Sequence, residues 1–246
     1  MGPVVAELIK IRRSLAWVVV VALPLLAVLT GTVTTVASGR PLEDGWPTLW
    51  LRTVVFHGLL PQTVALSVLA SLVWRVEHRP GNRNALRCSG VGSRATVVGK
   101  LTVLALLAAA MQLVLVGATV ACGTLVFGLP GPPPARFALV SAVVVVACLP
   151  VLAVQSALSM LWPSFAAPVA AATAGAVVGV GLLLTGVAPL VAAVPHALLG
   201  RATQLGTGVF ADDGTIGTGT VLGIAGAALV ATALLVEVSA WLLDRR

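Results

Sequence analysis

Few side chains in this sequence could do chemistry, and their spacing narrows the field further. His57, His78 and His196 are scattered over separate segments, so no two share a helix at ligand spacing and no metal site is expected. Cys88, Cys122 and Cys148 show neither a CxxC nor a Cys/His pattern, and their odd number argues against a disulfide scaffold. Ser, Thr and His are too dispersed to nominate a nucleophile with its base, which leaves a hydrolase without support. Gly99-Lys100 has the look of a phosphate loop. However, Leu101 stands where Ser or Thr would hold magnesium, and no Gly lies five residues before Gly99, so ATP binding by this chain itself is not expected.

The remaining candidates are polar groups set in apolar sequence. A carboxylate at a bilayer centre costs about 2.5–3.5 kcal/mol and marks a functional site by default, which draws attention to Glu237. It stands seven residues before Asp244, roughly 10 Å of helix, so it can reach the aqueous boundary or pair with a basic neighbour. Ion-coupled carriage needs several such acids or unwound helix pairs, and is disfavoured. Gln112 and Gln155 also interrupt apolar runs, either as interhelical hydrogen-bonding groups or as polar residues of a substrate path.

The elements that must hold these residues follow from composition. Of 246 residues, 59% are hydrophobic and 9% charged, which excludes a water-soluble globule. Solid apolar runs at 15–36, 53–74, 101–127, 137–160, 166–185 and 220–242 are each long enough to cross about 30 Å of hydrocarbon. They lack the alternation of barrel strands, so the expected fold is an all-α integral membrane protein with six transmembrane helices in one domain, 1–246. The first run exceeds the 7–15 residues of a signal-peptide core and reads as a retained span. Within the long segment 186–219, the apolar stretch 189–199 reads as a short re-entrant or interfacial helix. Gly175-x-x-x-Gly179 and Gly219-x-x-x-Gly223 match the small-residue pattern of close helix contact.

Eleven of the 15 Lys and Arg fall at 10–13, 75–100 and 245–246, and the other four are Arg40, Arg52, Arg136 and Arg201. The positive-inside rule then makes both termini and the loop 75–100 cytoplasmic. Trp17, Trp74, Trp162 and Trp241 would fall at inner span ends, and Trp46 and Trp50 in the first outer loop, as an aromatic belt requires. Cations confined to connections do not read as a nucleic-acid surface, despite a net charge of +7. Thirteen Arg to two Lys, with abundant Ala, Val and Gly, suggests a high-GC genome and a bacterial plasma membrane.

Two inner segments are informative. Residues 1–14 place Val4, Val5, Leu8 and Ile11 on one helical face and Glu7, Lys10 and Arg13 away from it, with Pro3 at the helix start. Such an amphipathic interfacial helix would lie in the inner leaflet and turn at Arg12-Arg13-Ser14 into the first span. In 75–100, Pro80 stops the second helix, Gly90 and Gly92 supply a turn, and Ser93 is a fitting N-cap. Between the breaks a short polar helix sets Arg83 and Arg87 on one face beside Leu86. Such a cation-rich elbow reads either as a loop facing lipid headgroups or, by its shape, as a docking surface.

At these residues the sequence resembles the permease subunits of type-2 ABC transporters, particularly the compact six-span branch tied to lantibiotic immunity and to drug or peptide export. That family's first helix reads Glu-x-x-Lys-x-basic-Arg-Ser, matched by Glu7, Lys10, Arg12, Arg13 and Ser14. Its inner loop is matched at Glu77, Gly81, Leu86, Val91, Arg94 and Lys100, with departures at Arg83, Gly90 and Gly92. The resemblance implies that Glu77, Gly81, Arg83, Leu86, Arg87, Arg94 and Lys100 belong to a coupling element seated on a separate ATP-binding subunit, present in two copies. Arg83, Arg87 and Arg94 would contact that subunit, and Glu77 would order the elbow by pairing with a nearby Arg. It implies further that this chain has no cofactor or enzymatic activity, that ATP and magnesium reside on the partner, and that a second permease chain, identical or paralogous, completes the path. An amphipathic or apolar substrate would be exported by alternating access. Two other classes stay open: an ATP-independent carrier or channel, and a non-transporting membrane immunity or scaffold protein.

Overall fold

A computed structural model describes residues 2–82, 90–210 and 212–245. Among them every regular element is helical and no strand occurs. The chain begins with α1 (Pro3–Ile11) and α2 (Ala16–Ser38). Next come α3 (Trp46–Trp50), a π-helical turn (Leu51–Val55), α4 (Phe56–Leu59) and α5 (Pro61–Arg75). They are followed by α6 (Ser93–Leu125), α7 (Arg136–Leu161) and α8 (Ala166–Thr185). The short α9 (Ala188–Ala193) and α10 (Pro195–Thr203) precede α11 (Thr218–Asp244).

Five helices, α2, α6, α7, α8 and α11, are long and apolar enough to cross a membrane. Counted as one broken span, the pair Trp46–Leu59 and Pro61–Arg75, bent by 47°, would make six. The chain is a multi-pass membrane protein. Its second apolar run is therefore not the straight helix expected over 53–74. The helix starts earlier, at Trp46, loosens into the π turn, and breaks where Pro61 can neither donate a hydrogen bond nor leave Leu60 helical.

Burial ranks the spans. α7 is enclosed by α5, α6, α10 and α11, whereas α2 and α11 turn most of their apolar side chains outward, as lipid permits. The early start of the second span also corrects the reading of Trp46 and Trp50 as outer-loop residues. Both are buried in helix: Trp50 stacks on Phe137 with ring centroids 4.3 Å apart, and Trp46 Nε1 donates to the Pro130 carbonyl at 3.3 Å. Trp74 is buried too, while Trp17, Trp162 and Trp241 are exposed.

Segment 186–219 folds back on the bundle. α10 packs between α8 and α7, and the first glycine pair explains how: a Cβ at Gly175 would meet the His196 ring at 2.7 Å, and one at Gly179 the His196 carbonyl carbon at 2.9 Å. The second pair has no such seat, since a Cβ at Gly219 or Gly223 meets nothing within 4 Å among the described residues.

Candidate functional site

The N-terminal helix, the end of α5 and the start of α6 converge on four charged side chains. Lys10 Nζ donates to Glu7 Oε1 and to Glu77 Oε1, both at 2.7 Å. Lys100 Nζ donates to Glu7 Oε2 at 2.8 Å and to Glu77 Oε1 at 3.0 Å, and lies 4.8 Å from the Trp74 ring centre. Lys100 is 0% exposed. A lysine this deep needs compensation from every side, and two carboxylates and an aromatic face provide it.

Local sequence explains the convergence. Glu7 and Lys10 are three apart on α1 and share a side, so both reach the same partners. Gly99, next to Lys100, lets α1 lie against α6, because a Cβ there would approach Pro3 Cβ at 3.0 Å. The dipeptide that mimics a phosphate loop is thus a seat for the first helix.

These contacts revise two expectations. Glu7 is buried rather than turned from the packed face, since α1 hides Glu7 and Ile11 and exposes Val5, Leu8 and Ile9. Glu77 finds lysines, not an arginine, among the described residues. Burial alone would raise the Glu77 pKa, but Lys100 and Lys10 outweigh it and hold the carboxyl below its ordinary value. Burial would likewise lower Lys10, and the hydrogen bonds from Glu7 and Glu77 reverse the effect and leave its pKa raised.

The other sequence-predicted residues are dispersed. Arg94, six residues before Lys100, reaches Glu237 of α11 through an exposed ion pair at 2.7 Å. This identifies Glu237 as the partner of a basic neighbour. Gly81 has φ +84°, in the left-handed region glycine favours, and Asn82 closes the turn by donating from Nδ2 to the Val76 carbonyl at 2.7 Å. Arg12 and Arg13 follow α1 on exposed backbone. α6 starts at Ser93 with Gly92, not Ser93, at the N-cap. Arg83, Leu86, Arg87 and Cys88 lie outside the described residues.

A seam of polar groups joins the charged cluster to the bundle, and sequence reasoning missed it. From the far end toward Glu77, Gln62 Nε2 donates to Cys148 Sγ at 3.3 Å, and Ser67 Oγ to Gln155 Oε1 at 3.0 Å. Ser71 and Ser159 hydroxyls pair at 3.2 Å, and Trp74 Nε1 donates to Ser156 Oγ at 2.7 Å. His78 Nε2 meets the Ser159 carbonyl at 2.7 Å. The signal was present: residues 62, 67, 71, 74 and 78 recur at helical spacing through an apolar run. Gln155 is wholly buried in this seam, and Gln112 Nε2 donates to Ser141 Oγ at 3.3 Å while its Oε1 has no partner.

The geometry is that of a joint, in which a buried ionic cluster fixes one helix to both roots of a connecting segment. Comparison with protein families gives that joint a context, because the profile described as ABC-2 family transporter protein matches residues 4–179. The chain belongs to the ABC-2 transporter family. The match runs from α1 into α8 and includes the whole charged cluster and segment 75–100. Neither the curated proteins nor the solved structures gave a match. As a member of the ABC-2 family the chain is a membrane component of a transporter, of a kind that typically works with an ATP-binding subunit.

Proposed function

We propose that this ABC-2 protein is the permease subunit of an ATP-driven exporter in a bacterial plasma membrane, with both termini and segment 75–100 in the cytoplasm. A separate ATP-binding subunit, in two copies, grips segment 75–100, and a second permease chain completes the path. ATP is bound with magnesium and hydrolysed on the ATP-binding subunit, not on this chain. α1 lies in the inner leaflet with Val5, Leu8 and Ile9 toward lipid.

One observation carries this reading: the Glu7, Lys10, Glu77 and Lys100 cluster. A push on segment 75–100 from the cytoplasm reaches α5 and α6 at their roots and moves α1 with them, because the three are joined by ion pairs of 2.7–3.0 Å. The polar seam then carries the displacement from α5 to α7. The exported molecule is amphipathic or apolar, since the spans offer few charges with which to recognise a strongly ionic solute.

The test is co-purification. Arg83→Glu with Arg87→Glu should abolish recovery of the ATP-binding subunit with the tagged permease while membrane insertion stays intact. Unchanged recovery removes the coupling assignment, and ATP-independent transport in vesicles removes the exporter.

A further inference from the structure

We propose that the cavity between α2 and the bent second span binds an anionic amphiphile by its single apolar chain. The inference rests on the permease reading and gives a chemistry to what the permease carries.

The cavity holds about 480 Å³. This lies within the roughly 300–1,000 Å³ of sites that take one small ligand. Leu23, Leu26, Ala27, Phe56 and Pro61 make its walls apolar, and Arg52 is its one charged lining residue. Leu26 and Phe56 are exposed on the outer surface of the bundle, so the cavity opens where a molecule could enter sideways from lipid.

Its two ends differ. Arg52 lies at the Gly31 end, where a Cβ on Gly31 would touch the Arg52 carbonyl at 2.7 Å. Leu23 stands eight residues earlier on α2, roughly 12 Å away along the helix. A cation therefore marks one end and apolar side chains the other. Arg52 has no ion pair among the described residues, and its guanidinium reaches only the Arg40 carbonyl, at 3.5 Å. No acidic residue lines the cavity, which disfavours a cationic ligand.

Two further observations point to a ligand. Arg52 and Thr53 belong to the π turn, a geometry that recurs at functional sites because it frees backbone groups and re-aims side chains. His57 also lines the cavity; it is 2% exposed, and neither ring nitrogen has a partner among the described residues. A neutral imidazole always carries a donor and an acceptor, and its N–H is a second donor for the anionic head of an amphiphile beside Arg52.

The experiment uses the full chain in nanodiscs of phosphatidylcholine, probed with palmitate bearing a mid-chain diazirine and with the alkylamine of the same length. Photolabelling by the carboxylate should concentrate at 23–34 and 52–61, with about tenfold less from the amine. Arg52→Gln should lower carboxylate labelling about tenfold at an unchanged melting temperature, and Arg52→Lys should keep most of it. Ala27→Trp should clear label from 23–34. Equal labelling by both probes, full labelling of Arg52→Gln, or label spread evenly onto α11 would overturn the proposal. So would ready disulfide formation between two Leu26→Cys chains, which would place a second copy in the cavity. No ATP-binding subunit enters this assay. Failure of the co-purification test would sink the permease reading and leave the labelling result standing.

Discussion

The two ends of the bundle solve opposite problems. At the end that carries the termini, four buried or half-buried charges are mutually satisfied, and the polar seam leads away from them with each hydroxyl and amide paired. At the far end the second span is broken, and both His57 nitrogens, Trp50 Nε1 and Gln204 Oε1 are buried without partners among the described residues. Buried polar atoms without partners cost about 1–3 kcal/mol each, a cost that pure packing would not retain. One end is constructed to hold its shape, and the other keeps uncommitted groups around open space.

The largest test of the contrast is Lys100→Met. It leaves Glu7 and Glu77 side by side in a buried site with Lys10 alone between them, and removing one partner of such a cluster costs about 3–5 kcal/mol. We expect a large loss of thermal stability in detergent, and partial recovery when Glu7→Gln is added. If Lys100→Met melts like the parent protein, the cluster is not a fastening.

At the far end, Gly58→Ala should cost about 1–3 kcal/mol by overpacking, because its new Cβ would collide with Thr203 of α10. Thr203→Gly should recover much of it. Failure of that rescue would dissociate the bent span from α10.

Next in size is Ser156→Ala, which leaves the Trp74 N–H unpaired at a cost of about 1–3 kcal/mol. Trp74→Phe in the same background should add less than it does alone, a non-additivity read from a double-mutant cycle.

Acidity should separate the ends without any mutation. Glu77 has a lowered pKa when folded, so its contribution is complete above the ordinary carboxylate value near 4.5 and disappears as pH falls through the folded value. Lys10 has a raised pKa, so its contribution is complete below 10.5 and disappears as pH rises through the folded value. Protection of the α1 amides against hydrogen exchange, taken relative to the intrinsic rate at each pH, should therefore fall as pH drops below 4.5 and as it rises above 10.5. The same protection at both extremes and at neutrality would break the assignment.

The smallest effect belongs to Arg94→Gln. Its pair with Glu237 is exposed on both sides, and such pairs contribute about 0–1 kcal/mol. A loss well above this would move Glu237 into the fastening.

How much of this was legible depended on range. Apolar runs announced the crossings because lipid imposes length and composition on each segment separately. The Glu7-x-x-Lys10 spacing and the Glu77 to Lys100 interval were visible as a pattern, but a pattern does not say who touches whom. Glu7 meets Lys100 across 93 residues, and only the approach of α1 to α6 at Gly99 brings them together. The bend at Pro61 was readable from proline chemistry, yet the continuous hydropathy of 53–74 concealed it. Gly175 and Gly179 signalled close contact without naming the partner, which is a returning helix rather than another crossing.

The four-charge cluster also constrains biosynthesis. As the polypeptide leaves the ribosome, Glu7 and Lys10 are made first, whereas Lys100 arrives 93 residues after Glu7. Until then Glu7 has only Lys10 as a partner, so the docking of α1 is complete only once α6 is in place.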